Sequence, residues 1–164
     1  VRGASNAAGE IGHIKLQMNG GPICGCGDTG CLEAFASGPA IVALAEDYIK
    51  GGKSTKYREL ANGAPITPYI VCEAAKAGDP VAQRIFTIIG EYIGIGMASV
   101  VNLLNPEKII IGGGVADAGE YLLNPLSEAL KKRAMKIAGE TVKIVHAELG
   151  NTAGVIGASL LIES

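Results

Sequence analysis

Three of the four cysteines, Cys24, Cys26 and Cys31, fall within eight residues, and His13 stands eleven residues before the first of them. These donors are those of a closed tetrahedral Cys3His zinc site, structural rather than catalytic because the protein fills every coordination position. The glycines at 25, 27 and 30 let a short loop curl so that three sulfurs converge on one point. Disulfides compete with this reading. Cys24 and Cys26 are too close in the chain to bridge without strain, and a Cys31–Cys72 bond would still leave a thiol over. Inert core thiols are a third reading, which the Gly and Asp of a turn-rich loop do not favour. The spacing C-x-C-x4-C is not the common C-x2-C ribbon, so it names no zinc-finger class. Cys72, in the helical context Tyr69 to Ala75, reads as a packed core thiol.

Two carboxylates flank this loop. Glu10 lies three residues before His13, and Glu33 lies two after Cys31, at a helix start where negative charge is favoured. Each alone reads as a solvated charge. In an extended segment Glu10 and His13 face opposite ways unless Gly12 permits a bulge. Together, two carboxylates and a histidine tied to one rigid loop suit the gripping of a polyol. A second candidate is Gly112-Gly113-Gly114, three amides without side chains directly after the apolar run Ile109 to Ile111. Open α/β sheets bind ligands at the carboxyl ends of their strands. The next glycine is Gly119, so G-x-G-x-x-G is not met, and a tight strand-to-helix turn explains the glycines equally well.

The elements that position these residues follow from periodicity and breakers. Ile11 to Met18 alternates apolar and polar residues and predicts a half-buried strand. Short helices are expected at Leu32 to Ala36 and Pro39 to Lys50, the second bounded by Pro39 and Gly51-Gly52. Residues 53–66 read as surface containing a short helix. Thr67-Pro68 opens a helix to Ala77, and Asp79-Pro80 opens a long one to Leu104. The second half of that helix is apolar almost all round, so it is expected to be the central buried helix. Gly90, Gly94 and Gly96 would weaken it unless they allow close approach to another backbone. Lys108 to Ile111 reads as a strand of the kind covered on both faces, and Lys143 to Ala147 as a second strand. Helices are expected from Leu122 to Ala138 and from Ala153 to Ile162. The alternation predicts α/β layering.

The 164 residues fit one compact domain or one lobe of something larger. A hydrophobic fraction of 48% supplies a core, and a net charge of −2 points away from nucleic acid and membrane surfaces. No apolar stretch reads as long enough to span a bilayer. Thiol-type cysteines with one left over fit a reducing cytoplasm. Glycine, 24 of 164, is about twice the ~7% background and implies many tight turns. The start at Val1, followed by the small-residue run to Glu10, reads as the middle of a longer protein and makes the chain a C-terminal fragment.

Ala8-Gly9-Glu10-Ile11-Gly12-His13 followed by Cys24-Gly25-Cys26-Gly27-Asp28-Thr29-Gly30-Cys31-Leu32-Glu33-Ala34 resembles the signature of the ROK family of bacterial glucokinases, related sugar kinases and sugar-responsive repressors. Asn102 to Glu107, leading into Ile109 to Val115, is similar to that family's later motif. The resemblance covers nearly the whole chain. It implies the C-terminal lobe of an actin-like ATPase (ribonuclease H-like) fold across residues 1–164. That lobe would comprise a zinc and sugar loop (9–38), a helical region (39–104) and a nucleotide-side α/β region (105–164). It implies structural zinc on His13, Cys24, Cys26 and Cys31, and sugar hydroxyls on Glu10, His13 and Glu33. It also implies adenosine against Gly112, Gly113 and Gly114, ATP with Mg in the complete protein, and a homodimer. One departure is large. The family's catalytic aspartate and phosphate loops lie upstream of the Gly-Glu-x-Gly-His motif, and Asp28, Asp47, Asp79 and Asp117 do not match that aspartate. The fragment alone is therefore expected to be inactive. A kinase lobe, a repressor's effector lobe and a zinc-stabilised dimerisation module all remain open.

Overall fold

The computed structural model describes residues 3–160, which form eight helices and two strands. They are α1 (Leu32–Ala36), α2 (Gly38–Lys50), α3 (Lys56–Ala61), α4 (Pro68–Lys76), α5 (Pro80–Leu104), β1 (Lys108–Ile111), α6 (Glu120–Arg133), α7 (Lys136–Thr141), β2 (Lys143–His146) and α8 (Ala153–Leu160). The helix starts follow the capping residues. Ser37 accepts from the Ala40 amide ahead of α2, and Thr67 from the Ile70 amide ahead of α4. Asp79 accepts from both Val81 and Ala82 at 2.8 and 2.9 Å. Asp79 is buried, and its other oxygen takes the Lys56 amide, so one carboxylate ties the start of α3 to the start of α5.

α5 is the central helix. Its apolar face packs with α2, α4 and the start of α6 in one cluster around Ile41, Phe86, Ile89 and Leu122, and with α1 and the end of α6 in a second around Leu32, Met97 and Leu130. Two of its glycines serve backbone approach. A Cβ at Gly90 would lie 2.6 Å from the Leu122 carbonyl, and one at Gly94 would run into the Leu126 carbonyl and lie 3.0 Å from the Leu130 amide. Gly96 serves a different contact, the Leu32 side chain at 2.6 Å. By length and composition alone, α5 is apolar enough to cross a bilayer, contrary to the sequence reading. Here it carries Arg84 and Glu91 and is packed by other helices, as a core helix is.

β1 and β2 pair in parallel, Lys108 opposite Lys143 through Ile111 opposite His146, with α6 and α7 in the crossover. This is a βαβ unit and establishes the α/β class.

Several expectations need correction. Ile11–Met18 is not a strand. Ile11–His13 is a 3-10 turn, followed by a single antiparallel bridge between Lys15 and Cys31. The amides that a ladder would have used turn instead to the cysteine loop: Leu16 donates to the Gly30 carbonyl and Leu32 to that of Ile14, each at 2.8 Å. Residues 53–66 are not merely surface. Tyr57 is wholly buried, with its hydroxyl donating to the Ala45 carbonyl at 3.0 Å. The expected helix from Leu122 to Ala138 is two helices, because Ala134 and Met135 are extended and the Met135 amide is captured by the Asn102 side chain at 2.7 Å. β1 is covered on one face only among the described residues, Ile110 being 64% exposed. α2 starts one residue earlier than expected and β2 ends one earlier. α8 is present to Leu160; its expected end at Ile162, and the chain start at Val1 and Arg2, lie outside the described residues.

Candidate metal centre and binding cleft

The loop from Met18 to Cys31 folds onto itself through a bridge between Ile23 and Thr29, a Cys24 amide bond to the Asp28 carbonyl (2.7 Å) and a Gly27 amide bond to the Cys24 carbonyl (2.9 Å). Gly27 and Gly30 stand at φ of +89° and +75°, where only glycine is unstrained. Any Cβ at Gly30 would also strike the Gln17 carbonyl. Gly25 is not at positive φ, so it is not needed in that way.

This fold brings together the four residues that the sequence singles out. The ligand atoms of His13, Cys24, Cys26 and Cys31 all lie within 4.8 Å of one another. Cys24 Sγ is 3.5 Å from His13 Nδ1, and Cys26 Sγ is 3.8 Å from Cys31 Sγ. With Zn–S of about 2.3 Å and Zn–N of about 2.0 Å, tetrahedral ligands are themselves about 3.5–3.8 Å apart. The donor set and its spacing therefore fit a zinc ion. Cys24 and Cys31 are buried, while Cys26 and His13 are exposed. A backbone amide bond at Cys26 pulls the Cys24 thiol down, but burial and the crowding Cys26 and Cys31 sulfurs outweigh it and push Cys24 up to about 11. The Asp28 backbone amide and the Cys24 thiol, both donating to its sulfur, lower Cys26. A dication bound here would displace the thiol protons.

Glu33 sits at the edge of this cluster. Its Oε2 is 3.8 Å from His13 Nδ1 and 3.7 Å from Cys24 Sγ, and its Cβ lies against Gly12, where any side chain would be 3.4 Å away. Ile11–His13 is a 3-10 turn with Glu10 as its N-cap, the His13 amide donating to the Glu10 carbonyl at 3.1 Å, so the opposite-face alternation of an extended segment does not apply to this pair. Among the described residues the Glu10 carboxylate makes no hydrogen bond.

The glycine run lies elsewhere. Gly114, but neither Gly112 nor Gly113, lines a cleft of about 560 Å³ with Thr67, Tyr69, Lys76, Asp117 and His146. The cleft stands at the carboxyl ends of both parallel strands, the position at which open α/β sheets take ligands. Cys72 is buried, as expected, and burial raises its thiol; it also forms part of the cleft floor. Lys76 is pushed up mainly by Glu73, 2.9 Å away, and so presents a firm positive charge at the rim. The sequence reading missed Lys76, Asp117 and His146. The signal for His146 was present, since it closes a strand parallel to the one that ends in the glycines.

A central helix packed by its neighbours, a parallel βαβ unit, a Cys3His cluster and a cleft at the strand ends characterise this α/β lobe. The chain belongs to the ROK family, whose family model matches residues 1–164. It is 38% identical to a glucokinase of Halalkalibacterium halodurans over 99% of this chain and 50% of that protein. It is 35% identical to a xylose repressor of Caldicellulosiruptor bescii over 99% of this chain and 41% of that protein. Its fold superposes on a ROK family glucokinase from Streptomyces griseus, solved in complex with glucose and AMPPNP, with a TM-score of 0.83 and 34% identity, covering 98% of this chain and 53% of that one. The chain thus spans about half the length of the relatives it matches.

Proposed function

We propose that this chain is the sugar- and nucleotide-side lobe of an ATP-dependent hexokinase, a glucokinase in the first instance, which phosphorylates glucose or a related hexose in the complete protein. The observation that carries the reading is the cleft at the strand ends, walled by Gly114 and rimmed by Lys76. It fits the adenosine end of a nucleotide, with Gly112 and Gly113 beside it. The similarity to a glucokinase solved with glucose and AMPPNP supports it.

On this reading His13, Cys24, Cys26 and Cys31 hold a zinc ion that serves structure, since no coordination position is left for substrate. His13 presents one ring nitrogen to the metal and keeps the other for a sugar hydroxyl. Glu33 and Glu10 accept further hydroxyl hydrogen bonds, Glu33 having its Cβ set against Gly12. ATP with Mg supplies the phosphoryl group. The carboxylate that takes the hydroxyl proton comes from outside this chain. Asp28 is held by Lys15, Asp47 by Lys50, and Asp79 is spent on helix caps. The apolar face at Ile110 is where the remainder of the protein packs. The protein is cytoplasmic and pairs as a homodimer.

The second reading is the effector lobe of a sugar-responsive repressor, favoured by the match to a xylose repressor over nearly the whole chain. The zinc-stabilised dimerisation module is the third reading. Isothermal titration of the full protein with AMPPNP and with glucose separates them. The kinase reading expects both to bind, with His146 ring signals shifting on nucleotide addition. Sugar binding without nucleotide binding selects the repressor, and binding of neither selects the module.

A further inference from the structure

Lys15 has no part in the sugar or nucleotide reading, yet it is built into the cysteine loop. Its ammonium lies 2.5 Å from Asp28 Oδ2, 2.7 Å from the Thr29 carbonyl and 3.4 Å from Cys31 Sγ. Those are three acceptors for three N–H groups. The main chain fixes this placement. Lys15 and Cys31 form the antiparallel bridge, pinned on either side by the Leu16 and Leu32 amides. Asp28 is itself held, its other oxygen accepting from the Thr29 amide at 2.7 Å.

A dication with three thiolates and a neutral imidazole carries a net charge of −1, concentrated on sulfur. Donors to ligating atoms fix their orientation and tune their donor strength. We propose that Lys15 is an outer-sphere positioning residue of the metal centre, donating a charge-assisted N–H···S hydrogen bond to Cys31 and holding that sulfur in its ligating orientation. This rests on the Cys3His metal reading. Asp28, at 2.5 Å, lies closer to the ammonium than the sulfur does at 3.4 Å, so the Lys15–Asp28 pair brings no net charge to the cluster. The effect is therefore local to Cys31 rather than spread over the cluster. A plain surface ion pair, the alternative, would leave the metal untouched.

Co2+ titration of the full protein, with the sulfur-to-cobalt charge-transfer band as readout, tests this directly. Lys15→Met is expected to bind Co2+ about 10-fold more weakly. Its band should move to lower energy, because a thiolate that has lost a hydrogen bond is more easily oxidised. Lys15→Arg, which keeps a donor in reach, is expected to restore much of both. If Lys15→Met matches the wild type in affinity and in band position, the proposal is wrong. Weaker binding with an unmoved band also overturns it, since the loss would then be a general loosening of the loop. A wild-type protein that takes up no stoichiometric Co2+ overturns the metal reading itself, and this proposal with it.

Discussion

At the scale of single residues, Cys26 is the most direct test of the metal centre. It is the exposed cysteine of the cluster, so its replacement leaves no cavity in the core. Its sulfur lies 3.8 Å from that of Cys31, where a shared metal would put it. Cys26→Ser is expected to bind zinc at least 100-fold more weakly. With metal held near 100 times the wild-type dissociation constant, a ligand that binds only the folded state contributes about 2.7 kcal/mol, most of which the variant would lose. A chelator added to the wild type should lower its melting temperature to that of the variant. If the variant melts at the wild-type temperature with metal content unchanged, Cys26 is not a ligand. The direction with pH also follows. The ligands must be deprotonated, and Cys24 without metal is pushed up to about 11, so metal binding displaces its proton and weakens as pH falls.

At the scale of elements, the α5–α6 contact governs the lobe, and Gly94 is its tightest point. Gly94→Ala offers helix propensity of up to ~1 kcal/mol in its favour. Against it stand the Leu126 carbonyl, the Ala129 Cβ at 2.7 Å and the Leu130 amide at 3.0 Å, two of them backbone atoms that cannot rotate away. Overpacking of this kind costs about 1–3 kcal/mol, so net destabilisation is expected by urea unfolding. A variant at least as stable as the parent would show that α6 is not seated on α5 in this way. The same contact shows what the sequence revealed. Periodicity, Pro and cap residues located α2, α4 and α5 nearly to the residue, because those signals are local. The split between α6 and α7 was hidden, since it depends on Asn102 reaching Met135 across 33 positions of sequence. The lost strand at Ile11–Met18 has the same cause: its alternation is real at Ile14 and Leu16, but its partners are the cysteine loop, not another strand. The four metal-ligand candidates were legible by type and spacing. The cleft was half legible, through Gly114, because Lys76 and His146 reach it from distant elements.

At the scale of the whole molecule, binding and chemistry are separable. The candidate sugar contacts lie on the metal loop, and the candidate nucleotide cleft lies at the strand ends. Phosphoryl transfer needs a carboxylate at the attacking hydroxyl and groups that position the phosphates and their metal. Asp28 and Asp47 are paired with lysines, and Asp79 is buried among backbone amides. Asp117 lines the strand-end cleft, which is lined by no residue of the metal loop. Glu33 is engaged with His13. The isolated 164-residue chain is therefore expected to bind ligands without turning them over: no glucose-dependent ADP release in a coupled assay, at protein concentrations where nucleotide binding is measurable. The two measurements must be made on one preparation, because an unfolded chain would also be silent. Sustained, glucose-dependent turnover by the isolated chain would place the base within it and would make the lobe a catalyst in its own right.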